Sequence, residues 1–575
     1  MLKGVPQTMD ITSIKAVLHN LSNEILPSKF ETAQQPEPNT IQIGFRGVNN
    51  INWIEVCWQG DSARIIKIDR PDKQGNASTL ARQLSCGLKY MALVSIRQDK
   101  FERVIQLDFA KKPGDKISKS LIFELMGKHS NIFYLDSNQK IIALGKQIKS
   151  SQSSFRKIST GNYYSPPPTN NFKKEPNENE TFEKWKENLS SFPEPLKISL
   201  LNTYQGVSPI LIKQIEYLSN LKKYDLMNKN ILSIDNKYLK EIFVIWKKWI
   251  NCFINNQFSY TSFDNYFYSV WFPEIKANTT INLSKELSYY YDHFLKLKKI
   301  DELVKKIDSL IYKQINIEKK NFNIQNKLLK NSENHEEYKR KADNIFLNFQ
   351  INKEDVIEAQ NLYKKSKKLK RSKKLICDRI SIYSEKLIRL DEFGVMLENL
   401  NSINIGTLKI KIDLLNELKE ELCSEFNINT NKINKTKLKS NNKDSYPIEL
   451  ISPEGIVIQI GRNMRQNDLI SFKFSKKQDL WFHAQETPGS HVILKTSTKT
   501  PTESDIQISA DIAAFFCKAK GNIKVPITLV KIKDLQKIKN GGLGCVSFKN
   551  SEVIWGNPTR GKEYIKKILK NKYDI

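Results

Sequence analysis

Two long heptad repeats constrain the fold of this chain more than any other feature of its 575 residues. In each repeat, apolar residues recur in alternating steps of three and four, which places them along one side of an α-helix. The first repeat contains Ile300, Leu303, Ile307, Leu310, Gln314, Ile317, Asn321, Ile324 and Leu328. The second contains Leu362, Ser366, Leu369, Lys373, Ile376, Ile380, Tyr383, Leu387, Leu390 and Leu397. About thirty residues separate the repeats, so the pattern predicts an antiparallel coiled-coil hairpin over residues 284–403.

The predicted hairpin is too elongated to enclose a catalytic centre. An arm of about 45 residues is roughly 65–70 Å long at about 1.5 Å per residue, which suits a spacer or a probe. The rest of the chain predicts an α+β multidomain protein. Its other parts are an N-terminal α/β domain with a Pro-rich strap at 1–172, a helical helix-hairpin-helix domain at 173–283, a linker at 404–445 and a second α/β domain at 446–575.

Local patterns support these domains. In the N-terminal domain, alternating apolar residues predict strands at 41–46, 51–58, 63–68, 92–97 and 102–109, and helices at 76–87 and 117–126. In the helical domain, Gly206 allows the positive φ of a helical hairpin and Ser208 caps its second helix. Such a hairpin either directs backbone amides at phosphate or forms a plain helical corner. In the C-terminal domain, we predict strands at 456–460, 491–495, 526–532 and 544–548, and a helix at 508–520.

The chain is strongly basic. It has 92 Lys and Arg against 62 Asp and Glu, which gives a formal net charge of +30. Because each phosphate that a cation neutralises releases a counterion, this excess predicts a polyanionic partner. The abundance of Lys, Asn and Ile is also typical of proteins from AT-rich genomes, so the charge alone leaves both explanations open.

The second heptad repeat carries the densest cluster of this charge. Like charges three and four residues apart destabilise a helix unless an anion is present, and these charges cover too many sides of the helix for a partner helix to neutralise. We therefore predict a nucleic-acid contact, with a merely solvated face as the alternative. The run consists of Lys364, Lys365, Lys367, Lys368, Lys370, Arg371, Lys373 and Lys374.

The cysteines and the apolar segments indicate a cytoplasmic protein. Seven scattered cysteines without a C-x-x-C pair support neither a disulfide framework nor a zinc site. No N-terminal stretch resembles a signal peptide, and no run of about 18 apolar residues predicts a membrane span.

Four common catalytic and nucleotide-binding motifs are absent from the sequence. There is no G-x-x-x-x-G-K-[ST] loop, no G-x-G-x-x-G after a strand, no H-E-x-x-H and no G-x-S-x-G. His483 and His491 lie close in sequence, but neither has a carboxylate or a cysteine at an obvious ligand spacing. We therefore expect no catalytic residue, no metal and no cofactor, and a protein that is not an enzyme.

Several sequence blocks resemble the NFACT family of RNA-binding factors. They are ELMGKHSNIFYLD (124–136), RKISTGNYYSPPP (156–168), EAQNLYKKSKKLKRS (358–372), GRNMRQND (461–468) and DLWFHAQETPGSHVIL (479–494). The second block matches an Arg-x-x-x-x-Gly-x-x-Tyr-x-x-Pro-Pro strap, and the last two match the RNA-binding domain of the family. Together the blocks span almost the whole chain in the expected order.

The resemblance implies a function on ribosomal subunits whose translation has stalled. Family members bind a large ribosomal subunit that still carries a stalled nascent chain on peptidyl-tRNA, and they recruit charged tRNA. The bacterial members support template-free addition of an alanine tail, for which alanyl-tRNA is the expected donor. The ribosome makes the peptide bond, and the tail marks the nascent chain for degradation.

The resemblance also implies which residues bind RNA. Glu102-Arg103 falls where the family has an Asp-Arg pair that contacts the tRNA anticodon arm; the alternative is a surface ion pair. Asp10 matches a family acid near the same surface and can equally cap a helix. The family block Glu124, Leu125, Met126, Gly127, Lys128 and His129 is expected on the same tRNA surface. The alternative for Gly127 is the end of a helix. Because this chain has Glu102 instead of Asp, tailing or its tRNA preference can differ.

The remaining expected contacts lie in the second half of the chain. The basic run at 364–374 is expected to bind ribosomal RNA. In the C-terminal domain, aromatic faces and a tight turn suit unpaired bases or RNA backbone, with core packing of Trp481 as the alternative. The expected residues there are Arg462, Arg465, Trp481, His483, Gly489, Ser490 and His491.

Two other functions stay open on the sequence alone. An N-terminal domain followed by a helix-hairpin-helix resembles formamidopyrimidine-type DNA glycosylases. Those enzymes use a proline directly after the initiator methionine and a zinc finger, whereas this chain begins Met1-Leu2-Lys3. Older naming of bacterial family members indicates a fibronectin-binding surface adhesin, an interpretation that the absence of a signal peptide opposes.

Overall fold

The computed structural model describes residues 6–73, 78–148, 156, 158–168, 172–219, 224–263, 267–272, 283–347, 352–402, 406–428, 447–497, 499–539 and 541–573. The chain forms two compact units, Met1–Leu295 and Lys296–Ile575. Both contain helices and antiparallel strands, which confirms the predicted α+β fold class. Among the described helices, none is both long and apolar enough to cross a membrane.

The first unit is built on a nine-stranded antiparallel sheet. Its elements are α1 (Ile11–Ile25), β1 (Ser28–Glu37), β2 (Thr40–Arg46), β3 (Ile51–Cys57), β4 (Arg64–Ile68), α2 (Thr79–Gly87), β5 (Ala92–Gln98), β6 (Val104–Ala110), β7 (Lys119–Glu124), β8 (Asn131–Asp136) and β9 (Ile141–Leu144). The strand order is β4-β3-β2-β1-β5-β6-β7-β8-β9. Helix α2 separates β4 from β5 in sequence, and β5 pairs with β1. The apolar side of α1, with Ile14, Val17 and Leu21, is buried against one face of this sheet.

One predicted element of this unit is wrong. We predicted a helix at 117–126, but Lys119–Glu124 is strand β7. Leu121 and Phe123 are buried in the main core of the unit. Ile122 points to the opposite face and packs with Ile158 of the strap. A strand that is covered on both faces has a continuous apolar sequence, and periodicity cannot distinguish such a run from a buried helix.

The rest of the first unit is mostly helical. Its elements are α3 (Phe182–Leu189), α4 (Leu196–Thr203), α5 (Pro209–Leu218), α6 (Asn236–Asn255), β10 (Thr261–Phe263) and β11 (Phe267–Ser269). The predicted helical hairpin is confirmed: Gly206 between α4 and α5 has a φ of +73°. The Ser208 hydroxyl accepts a hydrogen bond from the Leu211 N–H at 3.1 Å and so caps α5. Trp185, Trp246 and Trp249 are buried in the core of these helices.

Long helices begin the second unit. They are α7 (Leu283–Glu333), of which the second unit contains residues from 296 onward, α8 (His335–Phe346), α9 (Lys353–Ser402) and α10 (Leu408–Glu425). The Ser366 hydroxyl donates to the His335 carbonyl at 2.8 Å, and Lys386 lies 3.7 Å from Glu318. Because residues farther along α9 pair with residues farther back in α7 and α8, the arms are antiparallel, as predicted.

The buried seam of this coiled coil departs from the predicted heptads. Ile300, Ile307, Leu390 and Leu397 are buried as expected. Beyond Ile311, the seam shifts by one residue from the predicted positions. Ile317, Ile324 and Leu328 are exposed, whereas Glu318, Gln325 and Ser332 are buried at heptad spacing. The prediction followed apolar residues, but here the seam holds polar side chains, such as Glu318 opposite Lys386.

Part of the predicted linker at 404–445 is an ordered helix. The leucines of α10, Leu414, Leu415, Leu418 and Leu422, are buried in one cluster with Leu390. The sequence appeared linker-like because its polar residues outnumber these leucines, whose apolar partners lie on distant helices. Residues 429–446, which contain the Lys/Asn-rich part of the predicted linker, lie outside the described residues.

The second unit ends in a six-stranded antiparallel sheet with the order β12-β13-β15-β14-β16-β19. Its elements are β12 (Ile448–Ile451), β13 (Val457–Ile460), α11 (Met464–Asp468), β14 (Leu480–Ala484), β15 (Val492–Leu494), α12 (Glu503–Phe515), β16 (Val525–Lys531), β17 (Leu535–Lys537), β18 (Val546–Phe548), β19 (Glu552–Gly556) and α13 (Pro558–Tyr573). Helices α12 and α13 cover one face. The hairpin β17–β18 lies over the other face, where Trp481 and Val530 are buried.

Candidate nucleic-acid interface

The Glu102-Arg103 pair lies in the turn between β5 and β6, so it precedes the strand instead of lying on it as predicted. Phe101 anchors this turn, because its ring stacks on Phe253 of α6 at a centroid distance of 4.8 Å. Gly206 of the helical hairpin lies directly against Phe101, so that a Cβ at this glycine would be 3.1 Å from the ring. The helical hairpin therefore fixes the position of the turn, while Glu102 and Arg103 stay partly exposed.

The block 124–129 adjoins the same turn. The Leu125 N–H donates to the Arg103 carbonyl at 3.0 Å. Residues 127–129 then form a single 3-10 turn, in which Gly127 has a φ of +56°. Lys128 and His129 are exposed on this turn. The structure therefore places the turn with Arg103 and the turn with Lys128 and His129 at the same end of neighbouring strands. All three side chains can donate hydrogen bonds to phosphate.

Asp10 lies nearby but is buried, with 3% of its surface exposed. It caps α1 by accepting a hydrogen bond from the Ser13 N–H at 2.9 Å. Burial raises the pKa of its carboxyl group, whereas the hydrogen bonds from Ser13 and the charge of Arg103 oppose that rise. The helix-cap alternative is thus what the geometry shows. Any influence of Asp10 on RNA must act through its neighbours, because its side chain does not reach the surface.

Glu124 holds the Pro-rich strap. Its carboxylate accepts hydrogen bonds from Arg156 at 2.8 Å and from the Tyr164 hydroxyl at 2.9 Å. The side chains of Glu124 and Arg156 are 4% and 13% exposed. Arg156 and Tyr164 are the fixed Arg and Tyr of the strap motif, so this motif encodes a buried clasp. Leu125 is also buried, and Glu124 and Leu125 therefore position the turn at 127–129 without facing solvent.

Replacing Glu124 with Gln is expected to destabilise the protein. The substitution keeps the shape of the side chain but removes the charge that pairs with a nearly buried guanidinium, which costs about 1–3 kcal/mol. Calorimetric melting of the variant should show a lower transition temperature. Glu31→Gln is the matched control, because Glu31 pairs with Arg46 on the surface of the same sheet, where such pairs contribute about 0–1 kcal/mol. Wild-type melting of Glu124→Gln would show that the clasp does not stabilise the fold.

The basic run on α9 faces solvent. Each of its eight cations, Lys364, Lys365, Lys367, Lys368, Lys370, Arg371, Lys373 and Lys374, is exposed. Within the described part of the chain, no carboxylate forms an ion pair with any of them. The Lys365 ammonium lies 4.1 Å from the centre of the Tyr338 ring. Eight exposed cations on three turns of helix form a concentrated positive surface that suits a phosphate backbone.

The residues of the C-terminal domain that we expected to contact RNA divide into a buried group and an exposed group. Trp481, Ser490 and His491 are each at most 3% exposed, and Gly489 is also buried. Gly489 packs against Cys517, 3.0 Å from where its Cβ would lie. The core-packing alternative for Trp481 is therefore the observed one. Arg462 and His483 are partly exposed, and Arg465 is exposed.

His491 is held in a neutral site. Its Nδ1 atom lies 2.8 Å from the Ser471 hydroxyl, and its backbone N–H donates to the Asn467 side chain at 3.1 Å. Burial lowers its pKa well below the usual value, and burial also lowers the pKa of His483. Both rings are therefore uncharged at neutral pH. Among the described residues, no group of three or more His, Cys, Asp or Glu side chains is arranged to hold a metal ion.

The sequence analysis did not identify two residues that position these surfaces, Phe101 and Arg389. Phe101 was not selected, because a lone aromatic in a turn shows no partner in sequence. Arg389 was also missed; its guanidinium donates to Glu425 at 2.8 Å and to the Leu543 carbonyl at 2.9 Å. It thereby ties α9 to α10 and to the β17–β18 hairpin. No local pattern indicates either contact, since both join segments that are far apart in sequence.

Comparison with solved structures gives matches to half of the chain at a time. The C-terminal part of the fibronectin/fibrinogen-binding protein from Streptococcus suis covers 48% of this chain and 98% of that structure, with 25% identity and a TM-score of 0.38. The N-terminal part of the same protein covers 49% of this chain and 99% of that structure, with 22% identity and a TM-score of 0.38.

Three curated relatives align with much more of the chain. The Rqc2 homolog RqcH from Streptococcus pneumoniae serotype 2 is 24% identical over 584 residues, which cover 95% of this chain and 97% of that protein. RqcH from Streptococcus suis is 26% identical, with 81% and 83% covered. RqcH from Bacillus subtilis is 24% identical, with 77% and 79% covered.

Two family models match the sequence. The model described as NFACT N-terminal and middle domains matches residues 10–358, and the model described as NFACT protein RNA binding domain matches residues 447–550. The first match alone covers more than half of the chain. It contains the Glu102-Arg103 turn and the 124–129 block, and the second match contains the Trp481 and His491 motif. This protein belongs to the NFACT family.

Proposed function

We propose that this protein is a ribosome quality control factor that binds the large ribosomal subunit obstructed by peptidyl-tRNA. The observation that carries the proposal is the alignment with RqcH over 95% of the chain, together with an NFACT RNA-binding domain. The exposed basic run on α9 supports it, because ribosomal RNA offers a dense phosphate surface. In this proposal the protein acts in the cytoplasm.

The proposal assigns tRNA to the first unit. Arg103, Lys128 and His129 form the surface for the incoming charged tRNA, with Arg103 on its anticodon arm. A guanidinium can pair with a phosphate or stack on a base, and Glu102 beside it can orient the guanidinium or accept a hydrogen bond from a base amine. Burial raises the pKa of Glu102, and the charge of Arg103 opposes that rise.

The proposal gives the protein no catalytic residue of its own. Recruited tRNA, with alanyl-tRNA as the expected donor, delivers its amino acid to the stalled chain without a template. The ribosome forms the peptide bond, and the resulting C-terminal tail marks the nascent chain for degradation. The protein contributes binding and positioning, which fits a molecule whose conspicuous side chains are exposed cations instead of a nucleophile with its base.

Co-sedimentation with ribosomal subunits tests this function. The purified chain should pellet with large subunits that carry peptidyl-tRNA in preference to empty large subunits and to small subunits. Its affinity should fall steeply as the salt concentration rises, because phosphate contacts release counterions. Equal binding to empty small subunits, or an affinity that does not depend on salt, would contradict the proposal.

A further inference from the structure

A cleft in the first unit lies next to the turn that Phe101 anchors, and Phe101 itself lines it. Its volume is about 410 Å³, which falls within the roughly 300–1,000 Å³ of clefts that hold small molecules. Side chains of α1, the end of β5, the turn after it, the segment before α3 and the end of α6 meet around this space. The described lining does not include Arg103, Lys128 or His129, so the cleft is distinct from the candidate tRNA surface.

Each of these five stretches of chain contributes an apolar side chain to the wall of the cleft. Removing apolar surface from water is favourable, so a ligand with an apolar body gains free energy when it covers these side chains. Some of them are buried in the protein, whereas Ile254 is 39% exposed at the rim. The apolar lining residues are Leu18, Ile96, Phe101, Pro176, Phe253 and Ile254.

The cleft also contains a lysine without a counter-ion. Lys15 is half-buried, and its Nζ atom lies 4.1 Å from the centre of the Phe253 ring. Burial lowers the pKa of the Lys15 amine. In the described part of the chain, no carboxylate forms an ion pair with Lys15. Partial burial of an unpaired cation costs free energy, and a bound anion would offset that cost.

An anion in the cleft can reach this ammonium group. Lys15 lines the cleft, and its Nζ atom is not among the enclosed polar atoms of the described residues. The wall therefore offers an accessible positive charge beside apolar side chains, which suits a ligand with a negative group at one end.

The charges around the cleft match a single negative charge. The second lysine of the lining, Lys100, is already paired with Glu175 at 2.7 Å. The Glu175 carboxylate also opposes additional negative charge at the rim. A phosphate monoester carries about −1.5 to −2 charges at pH 7, whereas a carboxylate carries only one. The balance of charge therefore favours a monocarboxylate.

Several polar side chains of the wall are used within the protein. The Ser22 hydroxyl donates to the Leu18 carbonyl at 2.8 Å, and the Gln98 amide donates to the Glu102 carbonyl at 3.1 Å. Recognition of a ligand therefore rests mainly on Lys15 and on the apolar wall.

We infer that this cleft binds a small monocarboxylic acid with an apolar body. The carboxylate pairs with the Lys15 ammonium, and the body lies against Leu18, Phe253 and Ile254. This inference goes beyond the proposed function, because it gives the first unit a small-molecule site that contains no RNA. The body is an aliphatic chain or an aromatic ring, and the experiment distinguishes the two.

Titration calorimetry of the full-length chain with octanoate and with phenylbutyrate tests the inference. At least one of them should bind, and the tighter one identifies the body as aliphatic or aromatic. The matching amide, octanamide or phenylbutyramide, keeps the body without the charge and should bind roughly 10- to 150-fold more weakly. Acetate lacks the apolar body and should not bind. Binding of neither carboxylate, or equal binding of a carboxylate and its amide, would overturn the inference.

Lys15→Met keeps an unbranched side chain but removes the charge. It should weaken carboxylate binding roughly 10- to 150-fold and leave binding of the amide unchanged. The matched control is Lys248→Met, because Lys248 is exposed on α6 and does not line the cleft. The control should bind carboxylates as the wild type does. Wild-type affinity of Lys15→Met for the carboxylate would contradict the inference.

A second variant keeps the test decisive even where Lys15→Met folds poorly. Ile254→Glu places a carboxylate at the rim, where it should repel the ligand and weaken binding by about tenfold. Because Ile254 is 39% exposed, this variant should melt close to the wild type. Undiminished carboxylate binding by the folded Ile254→Glu variant would show that the ligand does not occupy this cleft.

These titrations contain neither ribosomes nor tRNA, so their outcome is separate from the proposed function. The competing explanation is that Lys15 contacts tRNA, because the cleft adjoins the Arg103 turn. Reduced tRNA recovery by Lys15→Met, together with no carboxylate binding by the wild type, would establish that contact and overturn the inference. Carboxylate binding by a chain that does not pellet with large subunits would refute the ribosomal function and support the cleft.

Discussion

Changing Lys367, Lys368, Lys370 and Arg371 together to Glu is expected to eliminate binding to the large ribosomal subunit at physiological salt. Each lost phosphate contact lowers the slope of log affinity against log salt by about one, so the slope should fall by about four. The introduced carboxylates also repel the phosphates. Co-sedimentation at several salt concentrations measures both the affinity and the slope.

The same variant should fold normally. All four side chains are exposed, and exposed charges contribute little to folding. Removing like charges three and four residues apart also relieves repulsion within α9.

The control changes Lys313, Lys319, Lys320 and Lys327 of α7 to Glu, since these lysines are exposed on the same arm and the change in net charge is equal. Normal subunit binding by the α9 variant would show that the run is only a solvated face. A melting temperature of this variant well below that of the wild type would show that the four side chains contribute to folding and are not simply exposed.

The second large effect is expected for Arg103→Ala, which should abolish tRNA recovery and tail synthesis while subunit binding persists. The substitution removes the guanidinium, whose donors can grip phosphate and whose plane can stack on a base. A lost charge-assisted contact costs about 1.5–3 kcal/mol, or roughly 10- to 150-fold in affinity. Sequencing of co-purified tRNA and gel analysis of the stalled chain measure the two losses.

Two further variants make the Arg103 result specific. Glu102→Asp restores the usual family pair and should keep or raise activity. Arg82→Ala removes an exposed arginine from α2 of the same unit and should change neither tRNA recovery nor tailing. Wild-type levels of bound tRNA and tails in Arg103→Ala would show that Glu102 and Arg103 are an ordinary pair of surface charges.

Much of the fold follows from local sequence. Alternation predicted strands β2 to β6 to within about two residues at each end, and Gly206 with Ser208 predicted the helical hairpin. The errors arise where distant residues decide the structure. Strand β7 looks helical because the strap covers its second face, and α10 looks like a linker because its leucines bury against α7 and α9.

The sequence predicted which residues belong to the candidate site, but it did not predict which of their side chains are exposed to solvent. Motif matching selected Glu124 and Trp481, yet both are buried. A motif identifies which residues belong together and does not state which of them reach solvent. The partner of Glu124, Arg156, lies 32 residues away, so only the tertiary structure shows that the two motif blocks form one clasp.

The change of seam along the coiled coil gives the arm a gradient of stiffness. Near its base, Ile307 and Leu390 are buried aliphatic side chains, each of which contributes roughly 1.5–3 kcal/mol to folding. Farther out, the buried positions hold Glu318 and Gln325, which gain little on leaving water. Local opening therefore requires less free energy in the outer arm. The eight cations of α9 are carried by this outer part, which opens more easily than the aliphatic base of the arm.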